Sequence, residues 1–219
     1  SITSTNGGFS IPGFTITGSD TAGGSYTVDT EADILISTLT SKNADGTITS
    51  ANGKLDGGTW TVTGGALSVE AENDIALTGG LTVDNTSADT KAVSFTSVSG
   101  GMSSPAVSVA SGSYAVDADA DIVIGALTAV NADGTITSEN GELAGDTWSI
   151  TGGALSAEAK NDVTLSDGLI VDNSTATDKL VSIISRLGSF DSGRIELTGG
   201  SLEIAVAKDI RIDSFTAAD

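Results

Sequence analysis

A thirteen-residue pattern recurs five times along this chain and constrains its fold more than any other feature. It reads Gly-x-apolar-x-apolar-x-small-x-x-Asp-apolar-x-apolar, as in GALSVEAENDIAL at residues 65–77. The glycine to glycine spacings are 41, 47, 41 and 47 residues, and a fixed period of this kind indicates a repeat architecture. The copies begin at Gly24, Gly65, Gly112, Gly153 and Gly200, and the aspartates, nine residues later, are Asp33, Asp74, Asp121, Asp162 and Asp209.

A second, longer repeat encloses this pattern. Residues 23–100 align with residues 111–188 without a gap, and 47 of the 78 aligned positions are identical. Such a close duplication predicts the same local fold twice. We therefore divide the chain into an entry coil or N-terminal cap and assembly segment at 1–22, solenoid repeats at 23–110 and 111–188, and a partial third repeat at 189–219 that we expect to serve as an assembly end.

Short alternating segments predict an all-β fold. Apolar and polar residues alternate over about four to eight positions, and helical spacing is hardly visible. Aromatic residues make up only 4% of the chain, too few to supply the large core fillers of a compact sandwich. Leu, Val, Ile and Ala suit the narrow interior of a parallel β-helix, in which coils stack at about 4.8 Å. We therefore predict a parallel β-helix, or β-solenoid, built from an 88-residue tandem duplication.

The repeat spacings predict the size of this solenoid. Each spacing of 41 or 47 residues fits two coils of about 20–24 residues. The chain then makes about ten coils and a rod about 50 Å long. Crossovers between parallel strands are right-handed as a rule, so we expect a right-handed solenoid. Tandem β-sandwiches are the alternative, because short strands with turns about every 8–12 residues also fit that fold.

Charge and missing residue types restrict the possible functions. The chain has 29 acidic and 9 basic residues, a net charge of −20, which argues against a nucleic-acid partner and against anionic membranes. No apolar run approaches the roughly 18–20 residues of a membrane-spanning helix, so we expect no membrane insertion. Cysteine and histidine are absent, which removes thiolate chemistry and the commonest general base. We expect no enzyme, no catalytic residue and no cofactor other than calcium.

Carboxylates that alternate along a strand are the candidates for a metal site. Side chains two residues apart project from the same face of a strand, and Ca²⁺ takes oxygen ligands from clustered carboxylates. The candidate ligands are Asp45, Asp74, Asp119, Asp121 and Asp133. The alternative is a charged solvent face that prevents sideways association of sheets. We expect the glycines and aspartates of the thirteen-residue pattern to be structural corner residues, with each aspartate accepting hydrogen bonds from nearby amides.

Threonine strings and aromatic residues are the features on which two further activities, ice binding and carbohydrate cleavage, would depend. Strings such as Thr47 and Thr49 are typical of ice-binding solenoids, which need flat threonine rows on consecutive coils. The strings are irregularly spaced, so we expect them not to form such rows. A carbohydrate-cleaving site needs paired carboxylates, and substrate clefts usually add aromatic platforms. Trp60 and Trp148 recur at one repeat position, as duplicated structure does and a single active site does not.

The run GGALSVEAENDIALTGG at residues 64–80 resembles the coils of filamentous-haemagglutinin-type adhesins, the large exoproteins of two-partner secretion. Coils of that family read Gly-Gly, alternating apolar residues, Ala, then Asp or Asn before another apolar strand. The likeness covers most of residues 24–219, although the Asn-Pro motifs of the family are not recognisable here. It implies an extracellular or cell-surface protein with a structural or adhesive role, and it carries no catalytic residue over.

Together these features predict a non-enzymatic structural subunit of an extracellular surface filament or adhesin. An uncapped solenoid end exposes unpaired backbone groups, so we expect copies of the chain to stack head to tail into an open polymer. Two alternatives stay open: a fragment of a longer adhesin rod, and a carbohydrate-binding or carbohydrate-cleaving β-helix. Glycans of a host or of a cell surface are the further partners that the adhesive role allows.

Overall fold

The computed structural model describes residues 1–19, 23–88, 90–176 and 178–218, and within this range it is all-β, without a helix that could cross a membrane. Its strands pair in parallel and form a β-solenoid of about ten turns. The predicted parallel β-helix and its number of coils are confirmed, and the tandem sandwiches are excluded. Its right-handedness stays a prediction. Residues 20–22 of the predicted entry segment and Asp219 of the partial third repeat lie outside the described residues.

The described residues form 22 strands. The first eleven are β1 (Ile2–Ser4), β2 (Phe9–Ile11), β3 (Phe14–Thr17), β4 (Ser25–Thr30), β5 (Ile34–Lys42), β6 (Asp45–Ser50), β7 (Leu55–Thr63), β8 (Leu67–Ala71), β9 (Ile75–Leu77), β10 (Leu81–Asp84) and β11 (Ala92–Ser97). The others are β12 (Met102–Ala118), β13 (Ile122–Ser138), β14 (Leu143–Thr151), β15 (Leu155–Ala159), β16 (Val163–Asp172), β17 (Leu180–Ser185), β18 (Phe190–Ser192), β19 (Ile195–Thr198), β20 (Ser201–Val206), β21 (Ile210–Ile212) and β22 (Phe215–Ala218). Strand β12 runs through the boundary between the two predicted repeats.

Each coil contributes three rungs, and the rungs stack into three parallel faces. Face A begins each coil and holds β1, β4, β6, β8, β11, β15, β17, β20 and the last parts of β12 and β13. Face B holds β2, β9, β18, β21 and the first parts of β5, β7, β12, β13, β14 and β16. Face C holds β3, β10, β19 and β22, the last parts of β5, β7, β14 and β16, and the middle parts of β12 and β13. We number the coils 1–10 by their rungs on face A.

One column of inward side chains on face A shows how the coils are aligned. The steps along it are 26, 20, 21, 26, 21, 20, 21, 26 and 21 residues, so four successive coils make up the 88-residue duplication. The thirteen-residue pattern lies on every second coil, which explains its spacings of 41 and 47 residues. The column consists of Ile2, Val28, Ile48, Val69, Phe95, Val116, Ile136, Ala157, Ile183 and Ile204.

Even and odd coils differ at the corner between faces A and B. In even coils the first inward residue of face B follows the face A column residue by six positions, as Ile34 follows Val28. In odd coils it follows by seven positions, as Leu55 follows Ile48. This alternation holds in all ten coils and places one additional residue at every odd corner.

The solenoid interior is filled by aliphatic columns with one tryptophan in each repeat. Trp60 and Trp148 are fully buried on face C. Each indole Nε1 donates a hydrogen bond to a carbonyl of the preceding coil, at 3.0 Å to Ile36 O and at 3.0 Å to Ile124 O. The tryptophans are therefore core residues and do not form exposed aromatic platforms.

Replacing a buried tryptophan should destabilise the solenoid strongly. The Trp148→Ala variant loses the largest buried side chain of its coil and leaves the Ile124 carbonyl without its indole donor. We expect the free energy of unfolding to fall by about 3–5 kcal/mol, measured by chemical denaturation. The neighbouring Ser149→Ala variant changes an outward side chain and should stay within about 0.5 kcal/mol of the parent chain. Equal effects of the two substitutions would contradict this packing.

Candidate functional site

The corner between faces A and B carries a repeated carboxylate contact. The pattern aspartates Asp33, Asp74, Asp121 and Asp162 lie on coils 2, 4, 6 and 8. Each Oδ1 accepts a hydrogen bond from a backbone amide one coil further on. The donors are Lys54 N at 3.0 Å, Gly101 N at 2.9 Å, Glu142 N at 2.9 Å and Ser189 N at 2.7 Å. A carboxylate thus satisfies an amide at each passage from an even coil to the next odd coil.

A glycine lies beneath each of these carboxylates. The glycines of the odd coils are Gly53, Gly100, Gly141 and Gly188. A methyl group at any of them would collide with the aspartate carboxylate and with the backbone of the preceding even coil. The odd corner therefore needs glycine because of the close approach of the two coils, and this glycine belongs to the longer odd-coil connection.

Buried serines complete the same corner. Ser50, Ser97, Ser138 and Ser185 lie on odd coils, three residues before the corner glycine. Each Oγ donates to the carbonyl of the residue that precedes the even-coil aspartate, at 2.9, 2.7, 2.8 and 2.6 Å in chain order. We call this pair of contacts, aspartate to amide and serine to carbonyl, the corner junction. The sequence signal that could have revealed the serines is Ser-x-x-Gly-x-apolar on every odd coil.

The corner between faces C and A contains two carboxylate–lysine pairs. Asp45 accepts from Ala66 N at 2.9 Å and pairs with Lys91 at 2.8 Å, two coils further on. Asp133, the equivalent residue of the second repeat, accepts from Ala154 N at 2.9 Å and pairs with Lys179 at 2.9 Å. Lys91 and Lys179 each reach back across one intervening coil to make these pairs.

These partners lower the pKa of both carboxyl groups. The Ala66 amide lowers the pKa of Asp45 most, followed by Lys91, and burial opposes the shift. At Asp133 burial raises the pKa, but the Ala154 amide and Lys179 together outweigh it, so the net shift is downward. Both carboxylates are thus charged at neutral pH and already hold a cationic partner.

The structure does not gather the predicted calcium ligands. Asp45 and Asp133 lie at the corner of faces C and A, whereas Asp74, Asp119 and Asp121 lie at the corner of faces A and B. Asp74 and Asp121 each bond a backbone amide, and Asp119 accepts from Asn140 Nδ2 at 2.6 Å. Within the described ranges no three His, Cys, Asp or Glu side chains form a group suited to a metal ion. Calcium binding stays a prediction.

Threonine and serine form a continuous outward row on face C. The expectation that the threonine strings do not stack is wrong, because the coil lengths differ in the corner loops and not within the faces. The row occupies seven consecutive coils and consists of Thr15, Thr40, Thr61, Thr82, Ser108, Thr128 and Ser149. Its neighbouring column on face C is interrupted by Lys42, Asp84 and Val130, so no second continuous row lies beside it there. We assign the row to the strand preference of β-branched residues.

Outward carboxylates on face A are separated by one rung. Asp29, Glu70, Asp117 and Glu158 occupy one column, and Thr49, Thr96 and Thr137 lie between them. Like charges are therefore about 9.6 Å apart along the solenoid, two rungs of about 4.8 Å. This alternation reduces repulsion between stacked carboxylates while it keeps the face charged, which prevents sideways sheet association.

A shallow groove crosses face A, mostly in the second repeat. Small outward side chains such as Ala115, Thr135 and Ser156 form its floor, and Leu180 lies at one end. Asp133, already paired with Lys179, is the one acidic side chain that lines it. The groove thus offers shape without a cluster of titratable groups.

The fold and these corners define the chain as a β-solenoid of four-coil repeats. A comparison with protein-family models, with curated proteins and with solved structures finds no match.

Adding a methyl group at an odd corner should destabilise the fold. In Gly141→Ala the new methyl group would collide with the Asp121 carboxylate and the backbone of coil 6. We expect a loss of about 1–3 kcal/mol in the free energy of unfolding, measured by chemical denaturation. Gly13→Ala is the control, because no atom lies within 4 Å of the added group. A Gly141→Ala variant as stable as Gly13→Ala would show that the corner is not closely packed.

The Asp45 carboxyl group should titrate below its ordinary pKa. The Lys91→Ala substitution should raise this pKa only part of the way to the ordinary value. The hydrogen bond from the Ala66 amide is the largest single cause of the lowered pKa, and it remains in the variant. Because the folded-state pKa is lowered, the stabilisation is present above the unfolded pKa and is lost as pH falls through the folded value. Carboxyl ¹³C NMR titration measures the pKa of Asp45 in both chains. Lys179→Ala is the control and should leave the pKa of Asp45 unchanged. Full return to the ordinary pKa in Lys91→Ala would contradict the role of the amide.

Proposed function

We propose that this chain is a non-enzymatic structural subunit of an extracellular surface filament or adhesin, and that copies associate end to end. The observation that carries the proposal is the open apolar edge of the first and last coils. Both coils keep all three faces, and among the described residues no further rung covers their inward columns.

Coil 10 exposes apolar side chains that belong to the solenoid interior. Ile210 and Phe215 are 52% and 56% exposed, although their neighbours in the same columns, Phe190 and Ile195, are buried. Leu202, Ile204, Val206 and Ile212 are likewise only partly covered by the core. Burial of such residues against another apolar rung is favourable.

Coil 1 presents matching residues. Its inward side chains pack against the core on one side only, and they are Ile2, Phe9, Ile11, Phe14 and Ile16. If coil 1 of one copy follows coil 10 of another, Ile2 continues the column of Ile204, Phe9 that of Ile210, and Phe14 that of Phe215. The backbone ladder then continues on all three faces, and repetition of this heterologous contact gives an open filament.

The placement of the aromatic residues supports a structural role over a carbohydrate-cleaving one. Trp60 and Trp148 are fully buried, and Tyr26 and Tyr114 are buried as well, so these side chains do not form a platform for sugar rings. The extracellular location and adhesion to surface glycans follow from the resemblance to secreted adhesin coils, and they are part of the proposal. Calcium is its only candidate cofactor.

Association across a concentration series tests this proposal. We expect sedimentation velocity and negative-stain electron microscopy of the 219-residue chain to show fibres one solenoid wide that lengthen with concentration. Phe215→Glu places a charge in the open column of coil 10 and should give single rods. Leu35→Glu, an outward substitution on face B, is the matched control and should still form fibres. Single rods of the parent chain at every concentration would overturn the proposal and favour a segment of a longer rod.

A further inference from the structure

Each passage from an even coil to an odd coil is closed by a corner junction. It occurs four times within the chain, between coils 2 and 3, 4 and 5, 6 and 7, and 8 and 9. Coil 10 is even and coil 1 is odd, so their contact in a filament would be a fifth passage of the same kind. This section rests on the proposed end-to-end association.

Coil 10 carries the even half of a corner junction without its partner. Asp209 is the fifth pattern aspartate, at the position of Asp33 and Asp162. Among the described residues no hydrogen bond reaches its carboxylate, and none reaches the carbonyl of Lys208 before it. The four earlier aspartates all accept a hydrogen bond from an amide of the coil that follows them.

Coil 1 carries the odd half. Ser4, Gly7 and Phe9 reproduce the Ser-x-x-Gly-x-apolar spacing of coils 3, 5, 7 and 9. No hydrogen bond of the Ser4 hydroxyl is found in the described part of the chain, whereas the four equivalent serines all donate to a carbonyl. The Gly8 amide occupies the place of the four amides that bond an aspartate.

Gly7 is a glycine that the single chain does not require. A methyl group there would meet only Ser4 Oγ at 3.5 Å, an ordinary van der Waals contact, and its φ is not positive. At Gly53, Gly100 and Gly188, by contrast, the same methyl group would collide with the aspartate of the preceding coil. The glycine at position 7 therefore leaves room for the aspartate of an even coil that stacks on coil 1.

The lengths of the two terminal corners also agree. In coil 10, Ile210 follows Ile204 by six positions, and in coil 1, Phe9 follows Ile2 by seven. These are the even and odd values of the whole solenoid, so placing Ile2 on Ile204 also places Phe9 on Ile210. The same alignment brings Asp209 opposite Gly7 and Gly8.

We infer that two copies of this chain join through a fifth corner junction, in which the Asp209 carboxylate of one copy accepts from the Gly8 amide of the next. Ser4 Oγ of the second copy donates to the Lys208 carbonyl of the first. Because coil 10 carries only the even half and coil 1 only the odd half, the contact joins unlike ends. Every filament therefore has one polarity.

Three variants test the junction by sedimentation velocity. Gly7→Ala puts a methyl group where the Asp209 carboxylate must lie, and Asp209→Ala removes the acceptor. We expect each to weaken association about tenfold or more, since a hydrogen bond to a charged group contributes about 1.5–3 kcal/mol. Thr5→Ala, an exposed change beside the same corner, is the control and should associate like the parent chain. The unfolding midpoint of Gly7→Ala should equal that of the parent chain below the associating concentration.

Mixing two blocked chains tests the polarity. Gly7→Ala keeps an intact coil 10, and Phe215→Glu keeps an intact coil 1. At a concentration where neither variant associates alone, an equimolar mixture should form a dimer that does not grow further. Dimers of either variant alone would overturn the joining of unlike ends.

The outcomes separate this inference from the proposed function. A parent chain that never associates contradicts the filament itself. A parent chain that forms fibres, together with Gly7→Ala and Asp209→Ala variants that associate equally well, leaves the filament standing and overturns the corner junction as its contact.

Discussion

The backbone ladder between successive coils is the constraint on which the rest of this structure depends. Parallel rungs about 4.8 Å apart must stay in register on three faces through ten coils. A slip of one residue would turn every inward side chain of a rung outward. The alternating corner lengths and the glycines that permit close approach confine variation to the corners, so the faces stay aligned.

Much of the fold could be predicted because the chain repeats itself. The thirteen-residue pattern and the 88-residue duplication gave the solenoid and its number of coils, since spacings of 41 and 47 residues fit two coils each. Alternating apolar residues such as Val28 and Ile48 gave the strands. The corner aspartates were recognisable as local hydrogen-bond acceptors, although their amide donors lie one coil away.

The remaining features depend on contacts between coils, which local patterns do not specify. The serines at the odd corners look like ordinary strand residues until the preceding coil is placed against them. Lys91 lies 46 residues from Asp45, and only the stacking of the coils brings the two side chains together. The irregular threonine strings align for the same reason: Thr82 and Ser108 are 26 residues apart, yet they are neighbours on face C.

The alternation of corners restricts how such a chain can grow during evolution. An even coil presents an aspartate toward the coil that follows, and an odd coil receives it with glycine and serine. Duplicating a single coil would set two like corners against each other, with either two carboxylates or two empty glycine corners in contact. Lengthening is therefore compatible with the ladder only in steps of two coils, and the duplication seen here, four coils long, obeys this rule of parity.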